Sequence, residues 1–207
     1  RLDIIDSKLR REGWLKARPI ADESTEIAAT TLGIIGMGAI GSKLAQAAAG
    51  MQMHVIALTR RPETLPASVK VATKEELFSQ ADVIALCCPL NDQTRGLVDR
   101  ASIALMKPTA ILINISRGPV IDTQAVLDAL VAGKIAGAAM DVHDIHPLSG
   151  DEVVFQCPNL LLTPHIASIT ASSMRGMSKG SVETILAILN GKNVNNVVNP
   201  EVFSNKV

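Results

Sequence analysis

Three glycines at a fixed spacing are the pattern in this sequence that points most directly to chemistry. A G-x-G-x-x-G turn follows the short apolar run 31–35 and precedes an alanine-rich stretch that reaches about Ala49. In such a strand–turn–helix unit the first glycine permits the tight turn, the second lets the backbone approach a pyrophosphate, and the third lets the helix pack on the strand. The helix N-terminus adds unpaired N–H groups and positive potential for phosphates. Glycines also mark ordinary turns, but this context predicts dinucleotide binding. The predicted site comprises Gly36, Met37, Gly38, Ala39, Ile40 and Gly41.

The residues after the next apolar run, Met53 to Leu58, indicate which dinucleotide would bind. A domain of this kind that binds NAD(H) places an acidic residue on the adenosine ribose hydroxyls about 20 positions after the turn. This sequence has Thr59, Arg60 and Arg61 there instead. A carboxylate would repel a 2′-phosphate, whereas an arginine pairs with it through two hydrogen bonds. The sequence therefore favours NADP(H), with NAD(H) as the second choice. The alternative is that both arginines are solvated loop charges.

Short apolar runs alternate with helical patterns along the rest of the chain. Further strands are predicted over residues 82–88, 110–115, 135–142 and 160–163, and helices after Thr73, after Asp122 and up to Gly191. Apolar strands that alternate with helices are typical of a parallel sheet covered on both faces. The predicted fold class is therefore α/β, a doubly wound parallel sheet of the Rossmann type. Residues 1–30 are predicted to be an N-terminal arm with a helix around Leu9 to Trp14, and not a domain.

The composition excludes several classes of function. Twenty Lys and Arg residues balance twenty Asp and Glu residues, so the chain lacks the basic excess typical of proteins that bind nucleic acid or anionic membranes. Aromatic residues make up 2% of the chain, too few for a base-stacking surface. Three cysteines, two of them adjacent, are not a disulfide framework, and no Cys/His spacing fits a metal site. We therefore expect a cytoplasmic protein without a metal.

Five motifs occur in an order that is known from one family, between about Thr31 and Pro200. They are the run 32–41, Cys88-Pro89-Leu90 with Thr94-Arg95-Gly96-Leu97, the run 114–122, Ala138-Ala139-Met140-Asp141-Val142, and Thr163-Pro164-His165-Ile166-Ala167-Ser168. Together they resemble the nucleotide-binding domain of the D-isomer-specific 2-hydroxyacid dehydrogenases, which include D-lactate and phosphoglycerate dehydrogenases and glyoxylate/hydroxypyruvate reductases. The resemblance implies an oxidoreductase that transfers a hydride between NADP(H), or NAD(H), and a small 2-hydroxy or 2-oxo acid.

The resemblance also implies roles for individual residues. Arg117 would pair with the substrate carboxylate and polarise its carbonyl, which suits an arginine at a strand's carboxyl end followed by Gly118; the alternative is a structural salt bridge with Asp122 or Asp141. His165 would be the general acid that protonates the carbonyl oxygen, although a lone histidine after proline is more often structural. Asp141 would hold the nicotinamide carboxamide. The other residues implied for the cofactor groove are Cys88, Pro89, Thr94, Ile115, Ser116 and Ala167, together with Arg117 and His165.

One position departs from the family pattern, which reads D-V-F-x-x-E-P in one-letter code. This chain has Asp141-Val142-His143-Asp144-Ile145-His146-Pro147, so His146 stands where the family has the Glu that keeps the catalytic His protonated. A carboxylate raises the pKa of a neighbouring imidazole, whereas a second imidazole does not. Three readings remain open: Asp144 substitutes for the Glu, the two histidines titrate as a coupled pair, or the protein catalyses poorly.

The second departure is a missing part. Family members have a substrate domain of about a hundred residues, which residues 1–30 cannot form. We therefore expect a fragment or a shortened homologue, with a Rossmann domain over 31–191 and a tail, 192–207, directed toward the missing domain. Family members are typically homodimers, and the apolar residues of 97–105 could serve that surface or be buried in the domain itself.

Two other functions share this fold. A nucleotide-sensing, corepressor-like binding protein would use a dimer surface gated by the cofactor, and His146 and the missing domain favour it, while Arg117 and His165 argue against it. A domain that binds S-adenosylmethionine would need an acidic residue near Thr59 and has no use for Arg60.

Overall fold

A parallel sheet forms the core of the chain up to Pro164. The computed structural model describes residues 2–150, 152–194, 197–199 and 201. Within these residues seven strands pair in parallel in the order β3-β2-β1-β4-β5-β6-β7. The strands are β1 (Thr31–Ile35), β2 (His54–Leu58), β3 (Val69–Val71), β4 (Val83–Leu86), β5 (Ile111–Asn114), β6 (Gly137–Met140) and β7 (Leu160–Leu162). The strand order reverses between β1 and β4, the point at which such sheets bind ligands.

The α-helices are α1 (Leu2–Glu12), α2 (Trp14–Ala17), α3 (Ala39–Gly50), α4 (Lys74–Gln80), α5 (Arg100–Ala104), α6 (Thr123–Val131) and α7 (Ala171–Leu189). Of these, α3 packs on one face of the sheet, and α4 and α6 pack on the other. Neighbouring residues of a strand point to opposite faces. Ile34 therefore packs with Ala45 and Ala48 of α3, whereas Ile35 packs in the larger cluster that holds Leu77 and Phe78 of α4. This two-sided burial is the reason that the strands read as continuous apolar runs.

The chain divides into two compact units. The first, Arg1–Pro164, holds the whole sheet, and the second, His165–Val207, holds α7. Thr170 caps α7 through a capping box with Ser173. None of the helices among the described residues is both long and apolar enough to cross a membrane.

The doubly wound parallel sheet is confirmed. The predicted strands are confirmed as well, β1 with the same bounds and the others with one or both ends shorter. Two short elements were missed: the edge strand β3, and the five-residue helix α5, which is capped by Asp99. Both are too short for a hydrophobic period to show in the sequence. The last helix begins at Ala171, well before the apolar positions on which its prediction rested, because Thr170 supplies the N-cap. The predicted tail 192–207 lies largely outside the described residues.

Candidate functional site

The carboxyl ends of all seven strands lie along one edge of the sheet, because every pairing is parallel. The predicted cofactor residues of the first unit follow these ends directly. The glycine turn follows β1, residues 59–61 follow β2, residues 88 and 89 follow β4, residues 115–117 follow β5, and Asp141 follows β6. The fold therefore brings these predicted residues to one edge, with β1 and β4 at the reversal of strand order.

Two of the turn glycines are required by packing. Gly36 has a positive φ of 96°, and a Cβ added there would lie 2.7 Å from the backbone N and Cα of Cys88. A Cβ on Gly41 would overlap the carbonyl oxygen of Gly36. Any side chain at these positions would force apart β1, the loop after β4 and the start of α3. These contacts account for the first and third glycines of the motif without any ligand.

Gly38 is different, because the space around it is open. A Cβ built on Gly38 meets no atom within 4 Å, and the residue is exposed. It is the N-cap residue of α3, and no side chain caps that helix. Packing therefore gives no reason for a glycine here, whereas a phosphate group that approached the backbone would need one. The residues present thus fit a dinucleotide pyrophosphate.

The end of β2 presents the two arginines to solvent. Arg60 and Arg61 are both exposed, and Thr59 is partly buried. The Arg61 backbone N–H donates to Thr59 Oγ1 at 3.2 Å, which shapes the turn from which the guanidinium groups extend. The predicted 2′-phosphate residues therefore stand at the strand next to the glycine turn, and their side chains are accessible to an anion.

Hydrogen bonds close the loop that follows β4. Thr94 Oγ1 donates to the Pro89 carbonyl at 2.6 Å and accepts from the Asn91 backbone N–H at 2.8 Å. The Ser116 hydroxyl donates to the Cys88 carbonyl, which joins this loop to the end of β5. Burial raises the pKa of Cys88 above its ordinary value. Cys88 is therefore a packed thiol in the wall of the site.

A buried amide organises the end of β5. The Asn114 side chain accepts from the Ser116 backbone N–H and donates to the Arg117 carbonyl, both at 3.0 Å. The backbone carbonyl of Asn114 accepts from the Asp141 N–H at 3.0 Å. Arg117 is exposed, and its guanidinium donates to the Ser116 carbonyl at 2.7 Å. Asp122, offered above as a salt-bridge partner, caps α6 by accepting from the Ala125 N–H. Sequence reasoning missed Asn114 as a positioning residue, although an asparagine inside an apolar strand was the available signal.

A second network joins the ends of β6 and β7. Thr163 Oγ1 donates to Asp141 Oδ1 at 2.5 Å, and Asp141 is 6% exposed. The buried ring of His143 bonds the Thr163 carbonyl through Nε2 at 3.1 Å. The His143 backbone N–H donates to Nε2 of the exposed His146 ring, also at 3.1 Å. The sequence prediction gave His143 no role. The available signal was that a histidine stands at the Phe position of the family pattern.

The remaining predicted residues begin the second unit. His165 and Ala167 are exposed, and His165 has a positive φ of 58°, which is rare for a residue other than glycine. They follow Thr163 and Pro164 in the chain. Among the residues that the structure describes, no group of three or more His, Cys, Asp or Glu side chains could hold a metal ion.

Comparison with known proteins places these features in a family. Residues 1–167 match the family model described as D-isomer specific 2-hydroxyacid dehydrogenase, NAD binding domain. A glyoxylate reductase of Thermococcus gammatolerans is 37% identical over 215 residues, which cover all of this chain and 64% of the relative. The structure of D-2-hydroxyisocaproate dehydrogenase superposes with a TM-score of 0.87 at 29% identity, over 95% of this chain and 63% of that chain. An acyclic imino acid reductase in complex with NADPH and D-Arg superposes with a TM-score of 0.85 at 30% identity, over 96% of this chain and 63% of that chain. The chain thus spans just under two thirds of the length of these relatives.

Proposed function

We propose that this chain is the cofactor domain of an oxidoreductase for small 2-hydroxy and 2-oxo acids, because it belongs to the D-isomer-specific 2-hydroxyacid dehydrogenases and matches their NAD-binding domain. One observation carries the proposal. At the reversal of strand order, Gly36 and Gly41 are held by packing while Gly38 faces open space. That combination leaves room for a pyrophosphate at the N-terminus of α3.

The proposed cofactor is NADP(H), with NAD(H) bound more weakly. Two exposed guanidinium groups, Arg60 and Arg61, stand at the end of β2, where a carboxylate would select the unphosphorylated ribose. A similar structure, the acyclic imino acid reductase, is a complex with NADPH. The rest of the proposed groove is formed by the loop after β4 and by residues 115–117.

NADP(H), when bound, would supply a hydride to C2 of the oxo acid or accept one from C2 of the hydroxy acid. Arg117 binds the substrate carboxylate through two parallel hydrogen bonds and orients the carbonyl. His165 gives a proton to the carbonyl oxygen during reduction and takes it from the hydroxyl during oxidation. Asp141 orients the nicotinamide carboxamide. His146, at the position where the family has a carboxylate, presents Nε2 as an acceptor to the His143 N–H.

A titration of the chain with nucleotides tests the cofactor proposal. We expect NADPH to bind more tightly than NADH in isothermal titration calorimetry. Arg60→Ala should weaken NADPH binding about 10- to 100-fold, the usual contribution of a hydrogen bond to a charged group, and leave NADH unchanged. Arg11→Ala, an exposed arginine of α1, is the matched control. If Arg60→Ala still prefers NADPH over NADH as strongly as the wild type does, Arg60 does not bind the 2′-phosphate.

Turnover tests the reaction. Glyoxylate, hydroxypyruvate and pyruvate should each be tried with NADPH on the complete gene product, together with His165→Gln and Arg117→Gln. We expect His165→Gln to lower kcat by about 10²- to 10⁴-fold, and Arg117→Gln to raise KM as well as lower kcat, since it removes carboxylate binding. Tight NADPH binding without turnover of any acid would favour the corepressor-like alternative, which the relatives reported above, named as reductases and a dehydrogenase, do not support.

The proposed assembly is a homodimer in the cytoplasm. Within the segment 97–105, Val98 and Ile103 are buried in the core, whereas Leu105 is 44% exposed. Trp14 and Leu15 of α2 are instead 69% and 88% exposed, and exposed large apolar groups mark interaction surfaces. The three cysteines are free thiols, as in a reducing compartment. Sedimentation of the wild type and of Trp14→Ser tests the dimer; a monomeric wild type would contradict it.

A further inference from the structure

The buried imidazole of His143 connects two strand ends. It is 8% exposed, and its Nε2 lies 3.1 Å from the Thr163 carbonyl at the end of β7. Thr163 in turn donates its hydroxyl to Asp141 at the end of β6, and its backbone N–H bonds the Met140 carbonyl at 3.0 Å. Hydrogen bonds through Thr163 therefore connect the ring of His143 to Asp141, which lies two residues earlier in the chain.

The partners in this network determine where the protons lie on both histidines. A carbonyl oxygen only accepts, so Nε2 of His143 must carry a proton. A backbone N–H only donates, so Nε2 of His146 must carry a lone pair to accept from the His143 N–H at 3.1 Å. The two rings, 5.6 Å apart between centroids, thus hold opposite roles at the same nitrogen. His143 is a donor that links strands, and His146 is an acceptor for the loop.

The backbone of His143 is held on its other side by the elements that carry the proposed substrate arginine. A Cβ on Gly118, the residue after Arg117, would overlap the carbonyl group of His143 and lie 2.5 Å from the Asp144 backbone N. Asp144 accepts a hydrogen bond of 2.7 Å from the hydroxyl of Thr123. The loop that begins at His143 is therefore fixed against residues 118 and 123, and the ring has little freedom to leave Thr163.

We propose that His143 is a positioning residue that sets the Asp141 carboxylate, through Thr163, for the nicotinamide end of the cofactor. The proposal rests on the proposed function, since it requires that Asp141 faces the nicotinamide. Without the ring's N–H, the Thr163 carbonyl loses its donor and Thr163 is released to turn its hydroxyl away from Asp141. Adenosine binding at β1 and β2 does not depend on this network, so the effect should be confined to the nicotinamide half.

The test compares two nucleotides on the full chain by calorimetry: NADPH, and 2′-phospho-ADP-ribose, which lacks the nicotinamide. We expect His143→Phe to lower the affinity for NADPH about five-fold, which corresponds to the net contribution of one hydrogen bond. The affinity for 2′-phospho-ADP-ribose should stay within about two-fold of the wild-type value. His143→Gln should recover most of the NADPH affinity, because its amide nitrogen occupies a place near Nε2 and can donate to the Thr163 carbonyl. Thermal unfolding of each variant accompanies the titrations.

The outcomes separate this proposal from the proposed function. If the wild type binds neither nucleotide, the proposed function fails and this proposal fails with it. If the wild type binds both and His143→Phe weakens both equally or neither, His143 is only structural. Long-range ¹⁵N NMR of the wild-type histidines reads the protons directly and does not depend on how well His143→Phe folds. We expect His143 protonated at Nε2 and His146 unprotonated there; the reverse assignment overturns the proposal.

Discussion

Alanine substitutions at Gly36 and Gly38 separate the folding role of the turn from its binding role. At Gly36 the φ of 96° is a conformation that costs a residue with a side chain about 1–3 kcal/mol. The new methyl would also stand 2.7 Å from backbone atoms of Cys88, and overpacking of this kind costs about 1–3 kcal/mol. The sum, about 2–6 kcal/mol, is a large part of an ordinary domain's stability. We expect Gly36→Ala to lower Tm by about 5–20 °C and to abolish nucleotide binding.

Gly38→Ala should behave in the opposite way. Its φ is −82° and the added methyl meets nothing within 4 Å, so the free energy of unfolding should stay within about 0.5 kcal/mol of the wild type. The methyl would nevertheless occupy the space through which a pyrophosphate approaches the backbone. We expect the affinity for NADPH to fall at least about ten-fold, which is 1.4 kcal/mol.

Differential scanning calorimetry and titration with NADPH measure both effects. Gly50→Ala is the matched control, since it lies at the end of the same helix with open space around it, and it should change neither quantity. The reasoning is refuted if Gly38→Ala binds NADPH as tightly as the wild type, or if it destabilises the fold as much as Gly36→Ala.

Three further predictions concern titrating groups. Partial burial raises the pKa of Asp82, but hydrogen bonds from Lys107 and from a β1 backbone N–H lower it by more, so the folded-state pKa lies below the ordinary value. The stabilisation from this carboxylate is therefore present above its ordinary pKa and is lost as the pH falls through its folded-state pKa. Asp82→Asn should lower the free energy of unfolding by about 1 kcal/mol at neutral pH and should not change it in strong acid. Urea unfolding that shows the same loss at both pH values would contradict this. Burial and the neighbouring thiol raise the pKa of Cys87 to about 11. Iodoacetamide at neutral pH should therefore alkylate Cys87 far more slowly in the folded chain than in the urea-unfolded chain. Equal alkylation rates, measured by mass spectrometry, would count against this prediction. His146→Glu, which restores the residue that the family pattern has at this position, should speed reduction at pH 7 by the complete gene product; an unchanged or lower rate would rule this out.

Much of the fold could be predicted because its signals are local in the chain. Buried parallel strands read as apolar runs, and the glycine turn has a fixed place after the first of them. Short elements such as β3 and α5 could not be found in this way, because three to five residues carry no period. The proposed cofactor residues could be inferred only as a set, since five motifs in one order are far more specific than any of them alone.

The sequence by itself determined the class of the fold, the glycine turn and the residues that follow each strand. Each of these depends on the order of residue types along one stretch of chain. Only the tertiary structure decided that Gly36 and Gly41 are held by packing while Gly38 is not, that Asn114 ties β5 to Asp141, and that His143 bonds the end of β7. These contacts join residues that lie up to about fifty positions apart, and hydrogen-bond partners at such separations exist only when the strands have paired.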